Sequence, residues 1–167
     1  MIKEINILIL TMLHIGSSKY APGTVASFVT CIIFICFYIF KINIFYLIFS
    51  VALILIFSVY SIDYYKKKFS EVDAKEIVID EFIGQSIPIL TIYSFLPKDN
   101  ISDFILYTLV SFLLFRIFDI IKPYPIGKID KNMKNGFGVI LDDVIAGLYS
   151  VVVFFIIFLS INYVSNN

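Results

Sequence analysis

No tryptophan occurs in this chain, histidine occurs once, at His14, and cysteine twice, at Cys31 and Cys36. A single histidine excludes catalysis by a histidine pair and any metal site built on clustered imidazoles. The cysteines sit in an apolar run at a spacing that puts them on different faces of a helix. They read as small buried hydrophobes, not as a disulfide. Charge is scarce too: Asp, Glu, Lys and Arg make up 16% of the 167 residues and cancel to a net of +0. That removes the basic surface a nucleic-acid-binding protein needs. Internal repeats are not evident, and no Walker A pattern occurs.

Hydrocarbon fills the space. Hydrophobic residues reach 60% and the mean hydropathy is +0.95, where soluble domains run at roughly 45–50% apolar. The chain reads as a polytopic all-α membrane bundle, one domain over residues 1–167, with about five membrane segments. Hydropathy places these at Val25–Phe40, Ile44–Ile62, a third ending at Leu96, Phe104–Ile121 and Val144–Val164. The apolar part of the third, Ile87–Leu96, is only roughly 15 Å as a helix against a ~30 Å hydrocarbon core. It spans only if it begins near Ala74 or Ile77, which draws Asp80, Glu81 and Gln85 into the membrane edge. The N-terminal stretch lacks a small-residue cleavage site and predicts a short amphipathic interfacial helix, with Ile5, Leu8, Ile9, Met12 and Leu13 on one face.

The rare charges are unevenly placed. With the N-terminus, Asp63–Lys75 and Lys122–Asp143 in the cytoplasm, only Lys41 and Lys98 among the basic residues fall outside. That bias follows the positive-inside rule and asks for an odd number of spans. Every polar motif then lies on one side: Gly16–Thr24, Asp80–Gln85 and Arg116–Asp143.

Four carboxylates, Asp80, Glu81, Asp142 and Asp143, meet at that edge and would repel unless a cation joins them. Oxygen-only ligands point to a hard divalent ion, Mg²⁺, which takes substrate phosphate as a further ligand. Lys19, Arg116 and Lys122 supply positive charge for such a phosphate. The small and hydroxyl residues of Gly16–Thr24, with Ser17, Ser18 and Thr24, precede a helix start that suits an anion. Bland readings stand beside these. Asp142 or Asp143 could cap a helix beginning there, and Arg116 could simply pair with Asp119. Lys66-Lys67-Lys68 reads as a lipid anchor, His14 as structural, and Pro123, Pro125 and Gly127 as the break after the fourth segment.

Taken together, Ala21–Thr24 (APGT), Asp80–Gln85 (DEFIGQ), Phe115–Ile126 (FRIFDIIKPYPI) and Gly136–Gly147 (GFGVILDDVIAG) resemble the phosphatidylglycerophosphatase A family. The resemblance covers the cytoplasmic third of the chain, in family order. Ala26 stands where the family pattern has a glycine. It implies an enzyme of the bacterial cytoplasmic (inner) membrane that removes the terminal phosphate of phosphatidylglycerophosphate with Mg²⁺. By motif, Asp80, Glu81, Asp142 and Asp143 are the implied metal and catalytic carboxylates, and Asp119, Arg116 and Lys122 further site residues. Phosphatases that start from an Asp-x-Asp pair are set aside, since none occurs. A small ion-coupled transporter with an acidic site is the competing expectation.

Overall fold

The computed structural model describes residues 2–68 and 76–165. Seven α-helices make up most of it: α1 Ile2–Leu10, α2 Pro22–Ile39, α3 Ile44–Lys68, α4 Ile79–Phe95, α5 Ile101–Ile121, α6 Ile126–Asn132 and α7 Gly136–Ser165, with a 3-10 turn at Ile15–Ser17. No strand occurs among the described residues. Four helices, α2, α3, α5 and α7, are long and apolar enough to cross a membrane. The expected third segment is α4, whose 17 residues reach roughly 25 Å and fall short of a ~30 Å core. The five expected spans are therefore four long helices and a shorter fifth. The possible start near Ala74 lies outside the described residues.

Helix α4 is the axle of the bundle. It packs against α2, α3, α5 and α7, and Ile79, Ile83, Gly84, Gln85, Ser86, Pro88, Ile89, Ile92 and Tyr93 are all buried. A helix packed against four others can carry polar groups at membrane depth, because they face neighbours instead of lipid. Its tightest contact is with α7. A Cβ on Gly84 would lie 2.7 Å from both the Asp143 carbonyl and the Phe115 ring, and one on Gly147 would lie 2.4 Å from the Gly84 carbonyl. That carbonyl is special, because Pro88 inside α4 has no N–H to give it. The freed oxygen faces the Cα of Gly147, a close backbone approach of the kind small residues permit between membrane helices.

Helix α7 starts earlier than hydropathy suggests, at Gly136. Asn135 accepts from the Gly138 N–H at 2.9 Å, and Asp63 of α3 accepts from the Gly136 N–H at 2.5 Å. Gly136 itself lies against the Val59 carbonyl, with no room for a side chain. Asp142 and Asp143 thus sit roughly two turns inside the helix, and the helix-capping reading of that pair is corrected. The break after α5 falls where the prolines put it. Lys122 takes a left-handed φ of 47° and ends α5, and α6 begins after Pro125.

The expected N-terminal helix is short, and its apolar face runs on into a turn. α1 stops at Leu10, and Met12, Leu13 and His14 follow with φ of 46°, 58° and 69°. Leu8, Ile9, Met12 and Leu13 of the expected apolar face line one apolar groove, while Ile5 is exposed and Leu10 is buried. The Leu10 carbonyl accepts from the Val78 N–H at 3.0 Å, which ties α1 to the residue preceding α4. At the opposite end of the bundle Tyr38 stacks on Phe104 with ring centroids 3.8 Å apart, and Tyr93 meets both edge-on. The Tyr93 hydroxyl donates to the Ile42 carbonyl at 2.5 Å and that of Tyr38 to the Pro97 carbonyl.

Gly147→Val is expected to lower unfolding free energy by about 1–3 kcal/mol through overpacking, whereas Leu148→Val on the exposed side should stay within about 0.5 kcal/mol. Denaturant titration in detergent micelles measures both. Equal stability of the two variants would contradict the backbone contact.

Candidate functional site

Asp80 and Glu81 occupy the first turn of α4, after Val78, which provides no side-chain cap. Unpaired N–H groups and the positive end of the helix dipole favour carboxylates there. The glycine contact just described sets Asp143 of α7 beside them. Asp80, Glu81 and Asp143 each offer an oxygen, and these oxygens lie within 4.8 Å of one another. Asp143 is buried. Asp80 Oδ1 and Glu81 Oε2 are buried oxygens without a hydrogen-bond partner. Leaving such acceptors unpaired is costly, and three negative groups this close repel one another. The donor set is all oxygen and suits one hard divalent cation.

Glu81 rests on α2. A Cβ on Gly23 would sit 2.0 Å from Glu81 Oε1 and 3.4 Å from an Arg116 nitrogen. Gly23 is thus the floor on which a carboxylate and a guanidinium both lie. The Arg116 Nη1 atom pairs with Asp119 Oδ2 at 2.7 Å and donates to Ser27 Oγ at 3.4 Å. The i, i+3 pairing anticipated as the bland reading is therefore present. Yet the Arg116 Nε–H is buried without a partner, so the guanidinium keeps an unused donor.

Asp142 points elsewhere. Its Oδ2 meets the Lys122 ammonium at 2.8 Å, and Lys122 also reaches Asp130 Oδ1 of α6 at 3.0 Å. Burial alone would pull the Lys122 ammonium down; the hydrogen bonds to Asp142 and Asp130 outweigh it and hold the group above its usual value. Lys19 lies on the exposed turn before α2, its ammonium 5.7 Å from the Tyr20 ring centroid. Neither Lys19 nor Thr24 forms a hydrogen bond or ion pair with the three clustered carboxylates among the described residues.

The structure thus joins Asp80, Glu81 and Asp143, places Arg116 with Asp119 beside Glu81, and sets Lys122 with Asp142 as a second pair. Gly23, Ser27 and Asp130 escaped sequence reasoning. Gly23 lies inside the APGT run, but its role depends on a residue from another helix. Asp130 carried a signal as the acidic residue amid Lys128, Lys131 and Lys134. An arrangement of this kind can hold a cation among carboxylates and offer positive side chains to an anion bound to it.

Comparison with known proteins agrees with that chemistry. The family described as Phosphatidylglycerophosphatase A matches over residues 8–158. A putative phosphatidylinositol-3-phosphatase of Bacteroides thetaiotaomicron is 36% identical over 138 residues, 81% of this chain and 82% of that protein. Phosphatidylglycerophosphatase A of Haemophilus influenzae is 42% identical over 85 residues, covering 51% of this chain and 47% of the relative. The Escherichia coli protein of the same name is 37% identical over 78 residues, or 47% and 41%. The aligned stretch therefore spans less than half of each of these two relatives. No solved structure matches.

Lys122 and Asp142 should be energetically coupled. A double-mutant cycle with Lys122→Met and Asp142→Asn is expected to give a coupling of about 0.5–3 kcal/mol in unfolding free energy. Strictly additive effects would contradict the pair.

Proposed function

The chain belongs to the phosphatidylglycerophosphatase A family, and on that premise we propose that it hydrolyses the terminal phosphomonoester of phosphatidylglycerophosphate to phosphatidylglycerol and inorganic phosphate. The observation that carries this reading is the three-carboxylate cluster, with unpartnered buried oxygens on Asp80 and Glu81 and the Arg116 guanidinium beside Glu81. A magnesium ion held by Asp80, Glu81 and Asp143 would withdraw charge from the phosphoryl oxygens and take one of them as a ligand. Arg116, with its free Nε–H, would neutralise charge developing on the phosphoryl group. Lys122 would do the same from the α5–α6 turn. Asp142, or else Asp119, would accept a proton from the attacking water, while Gly23 leaves Glu81 room to reach the site.

The reaction would take place at the cytoplasmic face of a bacterial inner membrane. In support, Lys19 before α2, Lys66–Lys68 at the end of α3, Lys122 at the end of α5 and Lys128 in α6 gather at the end where α2, α4 and α7 begin, whereas Lys41 and Lys98 lie at the other end. An ion-coupled carrier suits the bundle less well. The clustered carboxylates gather at one end, and the other is closed by the Tyr38, Tyr93 and Phe104 stack. The Bacteroides relative's name raises a phosphoinositide as a second substrate, and both lipids belong in the test.

Purified protein in mixed micelles should release phosphate from phosphatidylglycerophosphate faster than from phosphatidylinositol 3-phosphate. EDTA should abolish the release and Mg²⁺ restore it. Glu81→Gln and Asp143→Asn are expected to cost at least about 100-fold in kcat, and Gly23→Ala about 10–100-fold as a residue supporting a metal ligand. Full activity in Glu81→Gln or Asp143→Asn would overturn the site. Preference for the inositol lipid would overturn the substrate.

A further inference from the structure

An apolar groove of about 330 Å³ runs along the reverse side of the turn that bears the carboxylates. Its walls include Ile9 and Met12 of the N-terminal segment, Ile33 of α2, Ile54 of α3, and Ile79 and Phe82 of α4. Ile79 precedes Asp80 and Phe82 follows Glu81, so the groove and the acidic cluster share one turn of α4, on different faces of the helix. The seam between α2 and α4 links the two. At its upper end Gly23 lies against Glu81; farther along, Phe34 packs on Phe82 with centroids 6.3 Å apart, and Val29 and Ile33 face the groove.

The outer wall is fixed to the site as well. Leu10 of α1 bonds to the Val78 N–H immediately before α4, and Gly16 lies against the Glu76 backbone. Three consecutive non-glycine residues, Met12, Leu13 and His14, hold left-handed φ values beside the groove. Such values are uncommon for non-glycine residues and persist where the surroundings enforce them.

We propose that this groove holds one acyl chain of the lipid substrate while its terminal phosphate lies at the carboxylate cluster. The proposal rests on the reading of this chain as a lipid phosphatase and adds to it where the lipid tail goes. A volume at the low end of ligand sites, which run roughly 300–1,000 Å³, takes one chain and not a diacyl pair. The second chain would stay in the bilayer. The groove thereby couples recognition of hydrocarbon to the placement of the phosphate, on the same turn of α4.

The chain has no tryptophan, so Ile33→Trp both narrows the groove and reports on it. With long-chain phosphatidylglycerophosphate, kcat/KM of this variant should fall about tenfold, while a dihexanoyl form of the same headgroup should be cleaved at the wild-type rate. Equal loss on both, or loss on neither, overturns the proposal. A second readout needs no turnover. Fluorescence of Ile33→Trp, and of Ile54→Trp if the first variant does not fold, should be quenched saturably by phosphatidylglycerophosphate with brominated chains, diluted in unbrominated phosphatidylcholine. Unbrominated phosphatidylglycerophosphate should reverse the quenching. Equal quenching by brominated phosphatidylcholine would mean ordinary boundary lipid and would overturn the groove's role. Saturable quenching in a protein that releases no phosphate would uphold the groove and sink the catalytic reading instead.

Discussion

The contact between α4 and α7 at Gly84 and Gly147 is the constraint on which the rest depends. Two helices in lipid gain little from burying apolar surface against each other, so their approach is set by packing and by backbone contact. Here Pro88 leaves the Gly84 carbonyl without a donor, and Gly147 lets α7 come up to it. The same crossing sets Asp143 against Gly84, one turn from Asp80. A larger residue at either glycine would separate the backbones and with them the carboxylates. The acidic cluster is thus a consequence of packing, held in place by small residues that carry no charge.

Electrostatics then divides the charged groups into two sets. Consecutive residues on a helix are rotated by about 100°, and here that rotation sends Asp142 and Asp143 to different neighbours. Asp143 faces α4 and joins Asp80 and Glu81. Asp142 faces the α5–α6 turn and meets Lys122, itself braced by Asp130. One set lacks positive charge and the other has it, which is the asymmetry a cation-assisted phosphate site needs. Arg116 stands between them in function, committed to Asp119 at one nitrogen and unpaired at another.

Much of this is legible in the sequence. The hydropathy runs locate all four long helices, Pro123 and Pro125 locate the end of α5, and Gly84 beside Asp80-Glu81 signals a close neighbour. What could not be read depends on distant partners. Gly136 to Gly138 looks like loop because glycine and hydrophobic residues carry no cap signal, yet Asp63 from α3 and Asn135 start the helix there. The left-handed turn at Met12-Leu13-His14 is not announced either, because no Gly or Asn stands there. Gly23 gives no hint of Glu81, since the two meet only after α2 and α4 pack. The choice between Asp142 and Asp143 needed the position of Lys122.

The central claim is that α4 and α7 hold one divalent cation between them. Crystals of the protein soaked in Mn²⁺, with anomalous diffraction collected at the manganese edge, test it directly. The account predicts a single strong peak within ligand distance of Asp80, Glu81 and Asp143, lost in Asp143→Asn. A peak on Asp142 and Asp130 instead, or none at the α4–α7 crossing, would contradict it.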